Sequence, residues 1–180
     1  MKVIESRSKD KTGWGDGPWQ EEPDKIQWPD EATGLPCLIV RGPHGALCGY
    51  VGVSESHPFF EIGYSDCPLT ESCAERWCSH TPGHRMNVHG GLTFSDRCQP
   101  GAEEHGICHV PEPGEPDDVW WFGFDCAHCD DLAPAYEKTC IELGMPSHIE
   151  QYADYSRSYK TVRYVQRQCA ELAEQLAVIE

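Results

Sequence analysis

Two short stretches concentrate the side chains that could do chemistry: Asn87-Val88-His89-Gly90-Gly91 and Phe124-Asp125-Cys126-Ala127-His128-Cys129-Asp130-Asp131. Each sits in or just after an apolar run, which places His, Asp and Cys where a sheet meets its loops. Imidazole and carboxylate are good ligands for zinc and similar divalent ions. A catalytic metal needs about three protein ligands and one open position, on elements held rigid by packing. The expectation is that His89, Asp125 and His128 converge as metal ligands and catalytic groups, with the Cys126 thiol as a further donor. Gly90 and Gly91 would let a ligand approach the backbone and would offer N–H groups to an anion. Trp121, if it faces outward near His89, would stack on a planar ligand. Three other readings fit the same residues. His89 could be a hydrogen-bonded strand histidine and Asp125 a turn cap. The pair could work as a metal-free acid and base. Cys126 could be a nucleophile with His89 or His128 as its base.

A second set of donors has looser spacing. Cys73-x4-Cys78-x-His80-x3-His84 supplies four N and S ligands, enough for a closed tetrahedral zinc site, although packed cysteines and surface histidines give the same pattern. Cys126-x-x-Cys129 lacks both the second CxxC of a zinc ribbon and the βαβ surroundings of a redox motif. The chain has no P-loop, complete dinucleotide fingerprint or GxSxG elbow.

The elements that must position these groups follow from pattern. The C-terminal stretch has apolar residues at Val162, Val165, Cys169, Leu172, Leu176 and Ile179. That spacing predicts an amphipathic helix of about five turns, with its stripe on a sheet or on a partner copy. Strands are predicted near 37–41, 46–53, 86–94 and 119–125. The first two are joined through the turn Gly42-Pro43-His44-Gly45, and Gly90-Gly91 interrupts the third. A short helix is expected over 69–78 and another over 131–143, closed by Gly144. Trp14, Trp19 and Trp28 are spaced irregularly among Pro18, Pro23 and Pro29. That region reads as a Trp-rich extended N-terminal arm, preceded by a flexible start over 1–13. The fold class expected is α+β: one domain over 14–180, a mainly antiparallel sheet covered by the C-terminal helix.

Composition bounds the rest. The 180 residues carry 14 Lys and Arg against 30 Asp and Glu, a formal charge of -16. Such a balance disfavours binding to a phosphate backbone, so nucleic acid is not an expected partner. No apolar run approaches the ~18 residues of a membrane span. The start MKVIESRSKDKTGWGDG shows no apolar signal core, so the eleven cysteines are read as mainly reduced and the compartment as cytoplasmic.

The segments HGGLTFSD (89–96) and WWFGFDCAH (120–128), with GPWQEEPDKIQWPDEATGLPC, LCGYVGVSESHP and YVQRQCAELAEQLA, resemble a family of small proteins found in bacteriophages and some bacteria. The resemblance covers most of residues 14–178. It implies action in the cytoplasm of an infected bacterium and carries over no catalytic assignment. The family pattern after DCAH continues with a small residue and Gly-Asp, where this chain has Cys129-Asp130-Asp131, which marks Cys129 as a local variation. Three functions are then in competition: a metal-dependent hydrolase acting on a nucleotide-derived small molecule, a protein that sequesters such a ligand without cleaving it, and an acidic DNA mimic.

Overall fold

A computed structural model describes residues 1–69, 79–98, 103, 105–114, 118–145 and 158–179. Six strands form one sheet: β1 (Ile4–Ser6), β2 (Lys25–Pro29), β3 (Pro36–Arg41), β4 (Leu47–Val53), β5 (Phe94–Arg97) and β6 (Trp120–Asp125). Their order is β1-β2-β3-β4-β6-β5, and every pairing is antiparallel. Among the described residues the α-helices are α1 (Pro82–Arg85), α2 (Pro134–Glu142) and α3 (Val162–Ala177). The α+β architecture expected from the pattern is present, and α3 is the helix that covers the sheet.

The two faces of the sheet separate by the two-residue period of a strand. Ile26, Ile39, Val51, Phe122 and Phe124 point to one face and meet Val165, Cys169, Leu172 and Leu176 of α3. All four of those helix residues are fully buried, so the stripe is taken up within the chain by the sheet. Gly49 permits the close approach, since a Cβ there would stand 2.4 Å from Phe124 and 2.8 Å from Cys169 Sγ. The opposite face holds a second cluster of Leu38, Tyr50, Val119 and Trp121. A Cys98–Cys108 disulfide ties a loop on that side, and the Cys108 carbonyl accepts a hydrogen bond from buried Lys25 Nζ at 2.6 Å. Burial moves the Lys25 ammonium down to about 8, against the opposing charge of Glu103.

Residues 1–13 include β1, and Lys11 is buried. In the Trp-rich segment, Trp19 is buried within a short 3-10 turn over Pro18–Gln20 and Trp28 lies inside β2. The strand predicted over 86–94 is a loop instead, because Gly90 and Gly91 both adopt positive φ and end any extended run there, leaving β5 to begin at Phe94. Most of the helix expected over 69–78 lies outside the described residues.

A buried charge network closes the end of β3. Asp24 Oδ1 is 2.8 Å from Arg41 Nε and 2.9 Å from Lys11 Nζ, and Asp24 Oδ2 accepts the backbone N–H groups of Ser8 and Lys9. Arg41 also donates to the Tyr159 hydroxyl, which donates to Glu22, and Glu22 accepts the first N–H of α3 from Val162. The N-terminal segment, β3 and the entry to α3 are thus held by one set of charges. Burial would raise the Asp24 carboxyl, but the N–H of Lys9, the Lys11 ammonium, the N–H of Ser8 and the Arg41 guanidinium together hold it below its ordinary value.

Two predictions follow from this packing. Leu172→Ala should cost about 2–5 kcal/mol by chemical denaturation, since it opens a cavity beneath α3. Asp24→Asn should cost about 3–5 kcal/mol, because it leaves buried Lys11 without its counter-charge and Arg41 with only Glu22, 3.5 Å away. Asp24 is more acidic folded than unfolded, so its contribution is complete above about pH 4 and is lost as pH falls below that value. Denaturation across pH 2–6 should therefore show a shallower acid limb in the variant than in the wild type.

Candidate metal centre

The loop between α1 and β5 is held from above and below. Met86, Val88 and Leu92 anchor it in the core. Two glutamines one heptad apart on α3 hold its backbone: Gln175 Oε1 accepts the Asn87 N–H at 2.7 Å, and Gln168 Oε1 accepts the His89 N–H at 2.8 Å. Between these fixed points, His89 Nε2 lies 2.8 Å from Asp131 Oδ2 and His89 Nδ1 lies 2.9 Å from the Tyr164 hydroxyl. A carboxylate only accepts, so Nε2 carries the donated proton; in the neutral ring, Nδ1 then accepts from the Tyr164 O–H.

The second wall is the turn after β6. Asp131 Oδ2 accepts the His128 N–H at 3.0 Å, and the His128 carbonyl accepts the Asp131 N–H at 2.9 Å. This reciprocal pair brings the His128 ring to a centroid distance of 5.4 Å from His89, with His128 Nδ1 3.4 Å from Asp131 Oδ2. Gly90 allows the approach: its φ is +67°, and a Cβ there would lie 2.0 Å from His128 Cε1. Residues 158–160 dock along the same turn through the Leu132 and Ser158 N–H groups, placing Lys160 Nζ 3.2 Å from Asp131 Oδ1.

One ligand atom from each of His89, His128 and Asp131 lies within 4.8 Å of the others, so the cluster could hold a metal ion. Asp131 is fully buried. Burial pushes its carboxyl up, but the His89 imidazole, the His128 N–H and Lys160 outweigh that and hold it below its ordinary value. His128 Nδ1 and Asp131 Oδ1 are both buried without a well-aligned hydrogen bond, although Lys160 stands near the latter as an ion pair. A buried imidazole nitrogen with no aligned donor or acceptor, 3.4 Å from the shared Asp131 oxygen, is an arrangement that an ion would satisfy. Burial raises the Tyr164 phenol, against the opposing charges of Lys160 and Arg167, so it remains a neutral donor.

His89 and His128 lie in one cluster, and the carboxylate between them is Asp131 in place of the expected Asp125. Asp125 Oδ1 is 3.8 Å from His128 Nδ1, but it accepts the Ala127 N–H at 3.0 Å and serves as the turn cap. Cys126 is buried in the core cluster beneath α3, and burial first, then nearby Asp131, pushes its thiol up from the ordinary range. Trp121 is fully buried in the second cluster, edge-on to His109, and does not reach the site. Gly91 donates its N–H to the Val88 carbonyl, so that group is not available to an anion. His80 and His84 are exposed, with the His84 N–H donated to the Thr81 cap, and their partners Cys73 and Cys78 lie outside the described residues.

Lys160, Tyr164, Gln168 and Asp131 were missed. Asp131 falls three residues after His128, the spacing of a carboxylate that caps a turn. A further signal was available in the charge pattern. Arg157, Lys160, Arg163 and Arg167 are four of the 14 cations, and no carboxylate falls between residues 155 and 170 of this acidic chain.

Compared with known protein families, curated proteins and solved structures, the chain matches none of them. Among the described residues, no helix is long and apolar enough to cross a membrane.

Gly90→Ala tests how the two walls meet. The new methyl would both strain the backbone and displace the His128 ring, so the variant should lose about 1–3 kcal/mol. Histidine NMR signals should report the His128 ring moving away from His89.

Proposed function

We propose that His89, His128 and Asp131 bind a divalent metal ion, zinc among the candidates, and that the loaded site hydrolyses a small phosphate-bearing molecule of the nucleotide-derived kind. The observation that carries this reading is the convergence of three ligand atoms within 4.8 Å, with the His128 Nδ1 atom buried and without a hydrogen-bond partner. Two imidazoles and one carboxylate leave open positions on the ion, where a bound water would become a nucleophile near neutral pH. On binding, His89 would exchange its Nε2 proton for the metal, and Nδ1 would become the donor to Tyr164, which fixes the ring.

The substrate class follows from charge. Lys160 Nζ lies 5.6 Å from the Tyr164 ring centroid and Arg167 Cζ lies 5.2 Å from it, and Tyr164 is the residue that meets His89. Arg163 is one helical turn from Arg167. A basic rim on a chain of charge -16 focuses anions on this one place. A second reading rests on the 2.8 Å His89–Asp131 contact itself: a metal-free relay in which Asp131 orients His89 and His89 takes a proton from Tyr164.

Metal analysis and calorimetric titration separate the two. Chelator-stripped protein should bind one Zn²⁺ or Mn²⁺ per chain. Thermal stability should rise by about 2.7 kcal/mol at 100-fold excess over Kd. His128→Ala should lose both effects while remaining folded. Phosphate-ester hydrolysis should vanish with chelator and return with metal. Activity that survives chelation would replace the metal reading with the relay, and a ligand bound but returned intact would make the site a sequestering one.

A further inference from the structure

Lys25 Nζ donates to the Glu103 carbonyl at 2.5 Å and to the Cys108 carbonyl at 2.6 Å. Both acceptors belong to the span 98–108 that the disulfide closes. Lys25 is only 5% exposed, so its ammonium relies on these carbonyls in place of water. The residues around the bridge also cover the second cluster. Ile107 packs against it, Cys108 is fully buried, and His109 stands edge-on to Trp121 at 5.7 Å.

The two ends of this cover are held differently. Beyond the bridge, Gln27 clamps Val110: it accepts the Val110 N–H at 2.8 Å and donates to the Val110 carbonyl at 3.1 Å. At the other end, Cys98 directly follows β5, which is paired with β6. The bond between the sulfurs therefore pins Cys108 to the end of β5. Without it, the tie between the two residues is a path of ten residues, a much looser tether. Cys98 is half-buried and Cys108 has no exposure, so a thiolate can attack at the Cys98 sulfur.

We propose that the Cys98–Cys108 bond is a redox latch: a dithiol reductant opens it, the Glu103 and Cys108 carbonyls leave Lys25, and Ile107 leaves the Trp121 cluster, with Val110 as the pivot. A thiolate of the reductant attacks Cys98 Sγ, the S–S bond breaks, and Cys108 leaves as a thiolate that takes up a proton. The second thiol of the reductant then displaces Cys98 as a thiol. The protein gains two electrons and two protons, and the reductant ends as a cyclic disulfide.

Acetylation of the full chain by an active ester, mapped by mass spectrometry with and without dithiothreitol, tests the latch. The oxidised protein should show the Cys98–Cys108 bond, and its Lys25 should react at least about ten-fold more slowly than exposed Lys9. After reduction the Lys25 rate should rise about ten-fold. Lys11, buried against Asp24, should stay protected throughout, which separates local release from unfolding. Cys98→Ala, which leaves buried Cys108 in place, should show the fast Lys25 rate without reductant. If that variant fails to fold, the two oxidation states of the wild type still decide. Absence of the bond, a Lys25 rate unchanged by reduction, a rise at Lys11 together with Lys25, or a folded Cys98→Ala variant with slow Lys25 would each overturn the proposal.

Discussion

The docking of α3 across β3 and β4 is the contact on which the rest of the molecule depends. A sheet buries one face only if something covers it, and an amphipathic helix is stable only if its stripe is covered in turn. Here each meets the other's need, and the glycine at position 49 lets the two backbones approach until Cys169 meets Phe124. The same helix then turns its flank to other work. Gln168 and Gln175 grip the 86–92 loop, Tyr164 meets His89, and Lys160, just before the helix, meets Asp131. The candidate centre is therefore assembled by tertiary packing of segments far apart in sequence.

Charge is distributed with the same economy. A chain with an excess of 16 negative charges sets Lys11, Arg41 and Lys160 around two carboxylates, while buried Lys25 is held by backbone carbonyls. Asp24 holds Arg41 and Lys11 at one end of β3, and Asp131 holds Lys160 and the two histidines beyond the end of β6. Tyr159 and Lys160 are adjacent in sequence and serve one network each. A shift of this short segment would be felt at both, which makes residues 158–162 the mechanical link between the N-terminal part of the sheet and the histidine cluster.

The parts of the fold that repeat were readable before any coordinates. The i, i+3, i+4 pattern of 162–179, the 37–41/46–53 hairpin and the hydrophobic 119–125 strand all carry a period that reports directly on burial. β1 and β2 were not, because Ile4–Ser6 is three residues long and Lys25-Ile26-Gln27 hides its alternation behind a lysine and a glutamine that are buried for their hydrogen bonds. For the site, residue type was enough to bring His89 and His128 forward. Choosing Asp131 over Asp125 required knowing that one carboxylate turns back to cap its own turn and the other turns inward. Trp121 shows the reverse error: an indole in an alternating strand gives no sign of which face is up.

The Cys98–Cys108 bridge has a consequence for where the protein is at its firmest. It closes a loop of about ten residues, and the carbonyl beside it is one of those receiving the buried Lys25 ammonium under the second cluster. Closing a loop of this length typically adds about 2–4 kcal/mol by restricting the unfolded chain. A glutathione-buffered environment that keeps thiols reduced would remove that increment through a bond on the Trp121 face, while the α3 face, whose thiols Cys37, Cys126 and Cys169 are buried and unbridged, has no bond of its own to lose. The two sides of one sheet thus answer to different chemistry: one to the oxidation state of its surroundings, the other to whatever occupies the space between His89, His128 and Asp131.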